Sequence, residues 1–83
     1  MNPPLAPLSK EALTLKVGIY EHYKGGRYDV IGVARNTETL EEFVVYRALL
    51  GDKELWVRPL RMFLEFVFVE QKGEIPRFRY IGG

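Results

Sequence analysis

The chain contains no cysteine and a single histidine, His22. Disulfide stapling is therefore excluded, and so is any Cys/His zinc site. Serine is nearly absent: Ser9 is the only one, and it lies in an N-terminal stretch that reads as a tail. Nucleophilic catalysis needs an activated Ser, Cys, Thr or Lys beside a base. Thr37 and Thr39 sit in a polar loop, where capping turns is the ordinary use of threonine. No run approaches the roughly 20 apolar residues that cross a bilayer. The N-terminus shows no basic stretch followed by an apolar core, so no signal peptide is expected, and a cytoplasmic location is the default. An excess of one charge is missing too: twelve Lys and Arg face eleven Asp and Glu, and beyond residue 16 the balance is ten to ten. A balanced domain has no long-range field for nucleic acid, so any basic site must come from local arrangement.

What the chain does have is apolar content. Hydrophobic residues make up 47% of its 83 positions, and 13% are aromatic. A domain this short buries only about 60% of the surface its unfolded chain exposes, so its margin of stability is small. A dense aromatic core, or a homodimer that covers further apolar surface, is the way left to reach stability.

The first 16 residues read as an extended or partly disordered lead, with Pro3, Pro4 and Pro7, and with one helical turn that Ser9 caps. From Val17 the pattern turns to β, and residues 17–83 form one domain. Val17 to Tyr23 and Arg27 to Arg35 flank Lys24-Gly25-Gly26, the signature of a tight hairpin that needs positive φ. Alternation puts Tyr28, Val30 and Ala34 on one face of the second strand and Ile31 and Val33 on the other, while Gly32 marks a bulge. After the polar loop Asn36 to Glu42, strands are expected at Phe43 to Leu50 and Glu54 to Arg58. A helical turn at Leu60 to Phe63 follows, then a strand at Glu65 to Glu70. A turn at Lys72-Gly73-Glu74 leads to a last strand at Arg77 to Ile81. The expected fold is mostly β: a small, strongly bent antiparallel sheet or SH3-like partly open barrel of five to six strands with one short helical turn.

The ordered set Gly18-Ile19-Tyr20-Glu21-His22-Tyr23-Lys24-Gly25, Val44-Val45-Tyr46, Trp56-Val57-Arg58-Pro59, Met62-Phe63 and Pro76-Arg77-Phe78 resembles the short bacterial proteins of domain-of-unknown-function family 1653. The resemblance covers nearly everything after Val17 and implies no activity. Against that pattern, Glu21 stands where relatives usually carry arginine, and Asn36 where they often carry histidine.

The residues themselves offer several binding candidates. Tyr20 and His22 share a strand face and could line a shallow pocket. Lys24 and Arg27 flank unobstructed Gly-Gly amides, an arrangement that can hold phosphate or carboxylate. Trp56 and Arg58 share a face, as hot-spot pairs at interfaces do, although core packing is the ordinary reading of Trp56. Arg77 and Arg79 point away from Phe78 and Tyr80, and with Arg58 and Arg61 they would make one basic patch if the fold brought them together. Leu64, Phe66 and Phe68 alternate with Val67 and Val69, which implies a central strand or a partner subunit. Glu38, Glu41 and Glu42 read as a solvated loop face.

Three functions fit. The first is a non-enzymatic binding module for an anionic ligand, nucleic acid or nucleotide, through Tyr20, His22, Lys24, Arg27, Trp56, Arg58 and Arg77. The second is a protein-interaction or homodimerisation domain. The third is a small enzyme using His22 with Glu38 or Glu41. No cofactor, metal or membrane contact is expected.

Overall fold

Seven strands and two short helices follow one another in the computed structural model, which describes residues 7–83. Of the expected lead at residues 1–16, residues 1–6 lie outside the described ones, and its expected helical turn is present. Helix α1 (Lys10–Thr14) opens on Ser9, whose hydroxyl accepts the Ala12 amide as an N-cap. Ser9 also donates from its hydroxyl to the Glu42 carboxylate at 2.6 Å and from its backbone at 2.7 Å, so the cap ties α1 to the sheet.

Strands β1 (Gly18–His22) and β2 (Arg27–Arg35) make the expected hairpin. Gly25 turns it at φ 111°, a conformation that side chains resist, and the amides of His22 and Gly25 close it onto Gly26 and His22 carbonyls. Asn36 starts the next loop: its side-chain oxygen accepts the amides of Glu38 and Thr39. Strand β3 (Glu42–Ala48) pairs with β2 and with β4 (Leu55–Pro59), after which α2 (Leu60–Phe63) leaves the sheet. Strands β5 (Phe66–Val69) and β6 (Gly73–Pro76) pair only with each other, and β7 (Phe78–Gly82) returns to lie beside β1. The main sheet therefore runs β4-β3-β2-β1-β7, all antiparallel, with β5-β6 as a separate ribbon and no closed barrel.

The main sheet is strongly coiled. Tyr46 on β3 and Phe78 on β7 are three strand spacings apart, about 14 Å across a flat sheet. Their ring centroids lie 5.9 Å apart. Arg58 on β4, a further strand away, reaches 5.7 Å from the Phe78 ring. Coiling this tight wraps one face around Tyr20, Val30, Val44, Tyr46, Leu60, Phe63 and Phe78, with Ala12 of α1 closing one side. Phe63 is 1% exposed and stacks on Phe78 at 4.2 Å, while Tyr20 meets it edge-on at 5.3 Å. Burying each such ring contributes about 2–3 kcal/mol, which is how a domain without staples stays folded.

Four expectations need correction. The register of β2 shifts between Val30 and Gly32, so the bulge consumes Ile31 and brings Val33, not Ala34, to the side of Val30, opposite Val44. An additional strand, β6, lies at Gly73–Pro76, where only a turn was expected, and brings the total to seven; Pro76 is tolerated on a ribbon edge. Trp56 is 53% exposed rather than packed in the core, since β4 is an edge strand with a neighbour on one side only. Phe66 and Phe68 are not in a central strand. They stand 62% and 71% exposed on the ribbon, whose other face holds the half-buried Val67, Val69 and Ile75. Apolar alternation marked both faces of β5 without saying which one the fold covers.

Candidate functional site

The coil brings the turn end of the β1–β2 hairpin toward β4 and β7. His22, the last residue of β1, lies opposite Phe78 and meets its ring edge-on at 4.9 Å. Tyr28 and Tyr46 also present their rings to Phe78, at 5.8 and 5.9 Å, with Tyr28 and Tyr46 themselves 5.5 Å apart. Phe78 is thus the hub of an aromatic cluster that ends at the surface in His22.

His22 Nδ1 accepts the Lys24 amide at 3.1 Å. The ring is accordingly neutral, with its proton on Nε2 as a free donor. Burial first, and then the charges of Arg58, Arg77 and Lys24, hold its pKa below the ordinary histidine value. Three cations therefore act on this imidazole. Arg77 is neutralised by Glu65 at 3.2 Å, which also accepts the Arg77 amide through its carbonyl. Arg58 has no such partner among the described residues. Its guanidinium lies over Phe78, its Nε is covered and makes no hydrogen bond, and no carboxylate lies within ion-pair distance. A half-covered, unpaired cation is a costly arrangement that an anion relieves. Arg77 Nε is covered and unbonded in the same way.

Beside His22 a cleft of about 410 Å³ opens between the hairpin tip and the ribbon. Glu21, His22, Tyr23, Lys24 and Gly25 line it from the hairpin, Arg79 from β7, and Lys72, Ile75 and Pro76 from the ribbon, so the Glu21–Arg79 ion pair also lies on the cleft. Lys24 stands over the Tyr23 ring at 5.7 Å, and His22 lies 4.7 Å from the same ring. Lys72 was not among the residues picked out from the sequence; only the fold-back of the β5–β6 ribbon carries it here.

Of the seven candidate residues, four converge: His22, Lys24, Arg58 and Arg77. The other three do not. Tyr20 is core, its hydroxyl donating to the Lys16 carbonyl at 2.7 Å. Arg27 lies on the opposite face of the sheet and pairs with Glu21 at 3.7 Å. Trp56 stands at the outer edge on β4. The basic patch of Arg58, Arg61, Arg77 and Arg79 does not form as one unit. Arg61 pairs with Glu41, and Arg79 with Glu21 at 2.6 Å, so their charges are spent separately. Glu38 and Glu41 lie in the β2–β3 loop, at the far end of a nine-residue strand from His22, and do not meet it. Among the described residues no three His, Cys, Asp or Glu side chains converge as a metal-binding group, and no helix is long and apolar enough to cross a membrane.

Coiled five-stranded sheet, two-stranded ribbon and aromatic hub together define a small mostly β domain. The chain belongs to the family described as protein of unknown function (DUF1653), whose model matches residues 18–80. The crystal structure of a DUF1653 protein from Bordetella bronchiseptica is similar to it, with 38% sequence identity and a TM-score of 0.77. The match covers 86% of this chain and 92% of that one. No curated protein matches. Both residues that depart from the resemblance have structural work here: Glu21 bridges Arg27 and Arg79, and Asn36 organises its loop.

Proposed function

We propose that this domain is a binding module for an anionic ligand, the phosphate of a nucleic acid or nucleotide, held where His22, Arg58 and Arg77 meet and extending into the cleft toward Lys24 and Lys72. The observation that carries this reading is Arg58, a guanidinium without a counter-charge packed against an aromatic hub beside a neutral histidine. His22 Nε2–H supplies a directional donor, Arg58 the charge, and Tyr23 a flat ring for a base or sugar. Arg77, already paired with Glu65, positions the rim rather than supplying net charge.

The balanced net charge sets the scale. With two or three free cations engaged, the logarithm of the affinity should fall with log salt at a slope of about 2 to 3. The test is titration with single-stranded and double-stranded oligonucleotides and with free nucleotides at low salt. Saturable binding with that slope supports the reading; no binding at low salt by any of them removes it. A protein partner is the second reading, favoured by the exposure of Phe66 and Phe68 on one ribbon face.

A further inference from the structure

Among the described residues both outer strands of the main sheet leave a row of backbone groups unpaired, and on β4 the charge and the proline that blunt an edge, Arg58 and Pro59, stand only at its C-terminal end. Its first three residues, Leu55, Trp56 and Val57, are uncharged and 57%, 53% and 60% exposed. Which of its backbone groups point outward follows from the ladder. Leu49 donates to the Arg27 carbonyl, so along β3 the main-chain groups of Arg47 face β2 and those of Tyr46 face β4. Trp56, opposite Tyr46, therefore turns its amide and carbonyl inward, and Leu55 and Val57 turn theirs to the open side. Pro59 falls in the same outward set, where lacking an N–H costs the sheet nothing.

We infer that β4 is a self-association edge, pairing antiparallel with β4 of a second copy about a two-fold axis through Trp56 to give a ten-stranded sheet. The segment Glu54-Leu55-Trp56-Val57-Arg58 is complementary to itself in that register. Leu55 and Val57 of one copy exchange hydrogen bonds with Val57 and Leu55 of the other, which uses every outward amide of the two strands' central residues. Trp56 faces Trp56 at a non-hydrogen-bonded position, where side chains come closest. Sliding the register two residues toward Pro59 would set Leu55 against a residue with no amide. So short an edge buries less than the roughly 1,200 Å² of a stable interface, so the dimer is weak, with a dissociation constant on the order of tens of micromolar.

Sedimentation equilibrium of the full chain from about 1 to 500 µM tests this, with far-UV circular dichroism reporting the exciton coupling of a Trp56 pair, the only tryptophan in the chain. The expected result is a monomer–dimer equilibrium in which the couplet grows with concentration. Val57→Pro removes an outward donor and no bond to β3, so the monomer should melt as the parent does while association weakens at least tenfold. Should that variant fail to fold, Trp56→Lys at an exposed position answers the same question. A parent chain monomeric at 500 µM overturns the inference. So does a dimer indifferent to both Val57→Pro and Trp56→Lys, or one abolished only by Phe68→Lys.

Discussion

Replacing Arg58 by methionine separates a functional from a structural role for its charge. The thioether side chain keeps most of the stem that covers Phe78 and deletes the guanidinium. Losing the contact between the cation and the ring costs about 0.5–1 kcal/mol. Against this, a covered polar group without a hydrogen-bond partner costs about 1–3 kcal/mol, and the substitution removes it. The net expectation is a free protein unchanged or more stable by about 1–2 kcal/mol. In a domain of this size each 1 kcal/mol moves the melting temperature by roughly 4–8 °C. Ligand affinity should move the other way. A charged hydrogen bond contributes about 1.5–3 kcal/mol, so nucleotide or oligonucleotide binding should weaken by roughly 10- to 150-fold. The pKa of His22 should rise, because Arg58 is the strongest of the charges that hold it down. Urea unfolding, nucleotide titration and a proton NMR titration of the imidazole measure the three effects on one sample. A variant that loses stability by more than 1 kcal/mol while binding as the parent does would refute the reasoning and make Arg58 a structural residue.

Phe63→Ala should cost about 3–5 kcal/mol, because Phe63 touches Tyr20, Tyr46 and Phe78 and no neighbour can collapse into the space; urea unfolding should show a domain close to its folding limit. Ser9→Ala should cost about 1 kcal/mol by removing the cap. Its hydroxyl and amide also hold the Glu42 carboxyl below its usual range. That contribution is present above the unfolded carboxylate pKa and lost as pH falls through the folded one, so the gap between parent and variant should narrow on acidification. His22 adds a second pH dependence. Its folded pKa is lowered, so its share of stability is complete above the unfolded value near 6.5 and is lost as pH falls. A His22→Gln variant should flatten this limb of the curve. Bound phosphate opposes the neighbouring cations and raises the same pKa, so binding should take up protons and tighten as pH drops below 6.5; isothermal titration in two buffers of different ionisation enthalpy reads the uptake directly.

Local chemistry was legible in the sequence wherever it decided the structure by itself. The Gly25-Gly26 hairpin, the Ser9 cap, the bulge near Gly32 and the helical turn Leu60–Phe63 are all written in short runs of residues. The consequence of the bulge was not legible, because a one-residue shift exchanges faces and only the pairing partner on β3 shows which residue is consumed. Nor was the ribbon: the pairing of Phe66 with Pro76 depends on where the chain turns back, and a proline argues against a strand until it is seen on an edge. For the candidate site, His22, Lys24, Arg58 and Arg77 were picked out by residue type, but their meeting depends on the coil of the sheet. Coiling spans four strand spacings, and no local pattern records it. Arg27, Arg61 and Arg79 looked equally available, but Arg61 pairs with Glu41, and Arg27 and Arg79 share the one carboxylate of Glu21 from neighbouring strands.

The central claim is that the neutral imidazole of His22 and the unpaired Arg58 form one anion site. Its most direct test is an NMR titration of the full chain with a nucleotide at low salt and pH 6.5, following the His22 ring protons and the Arg58 Nε–H. Both should shift together along one saturable curve, with the His22 pKa rising in the bound state. Shifts confined to other residues, or none at either group up to millimolar nucleotide, would contradict the account.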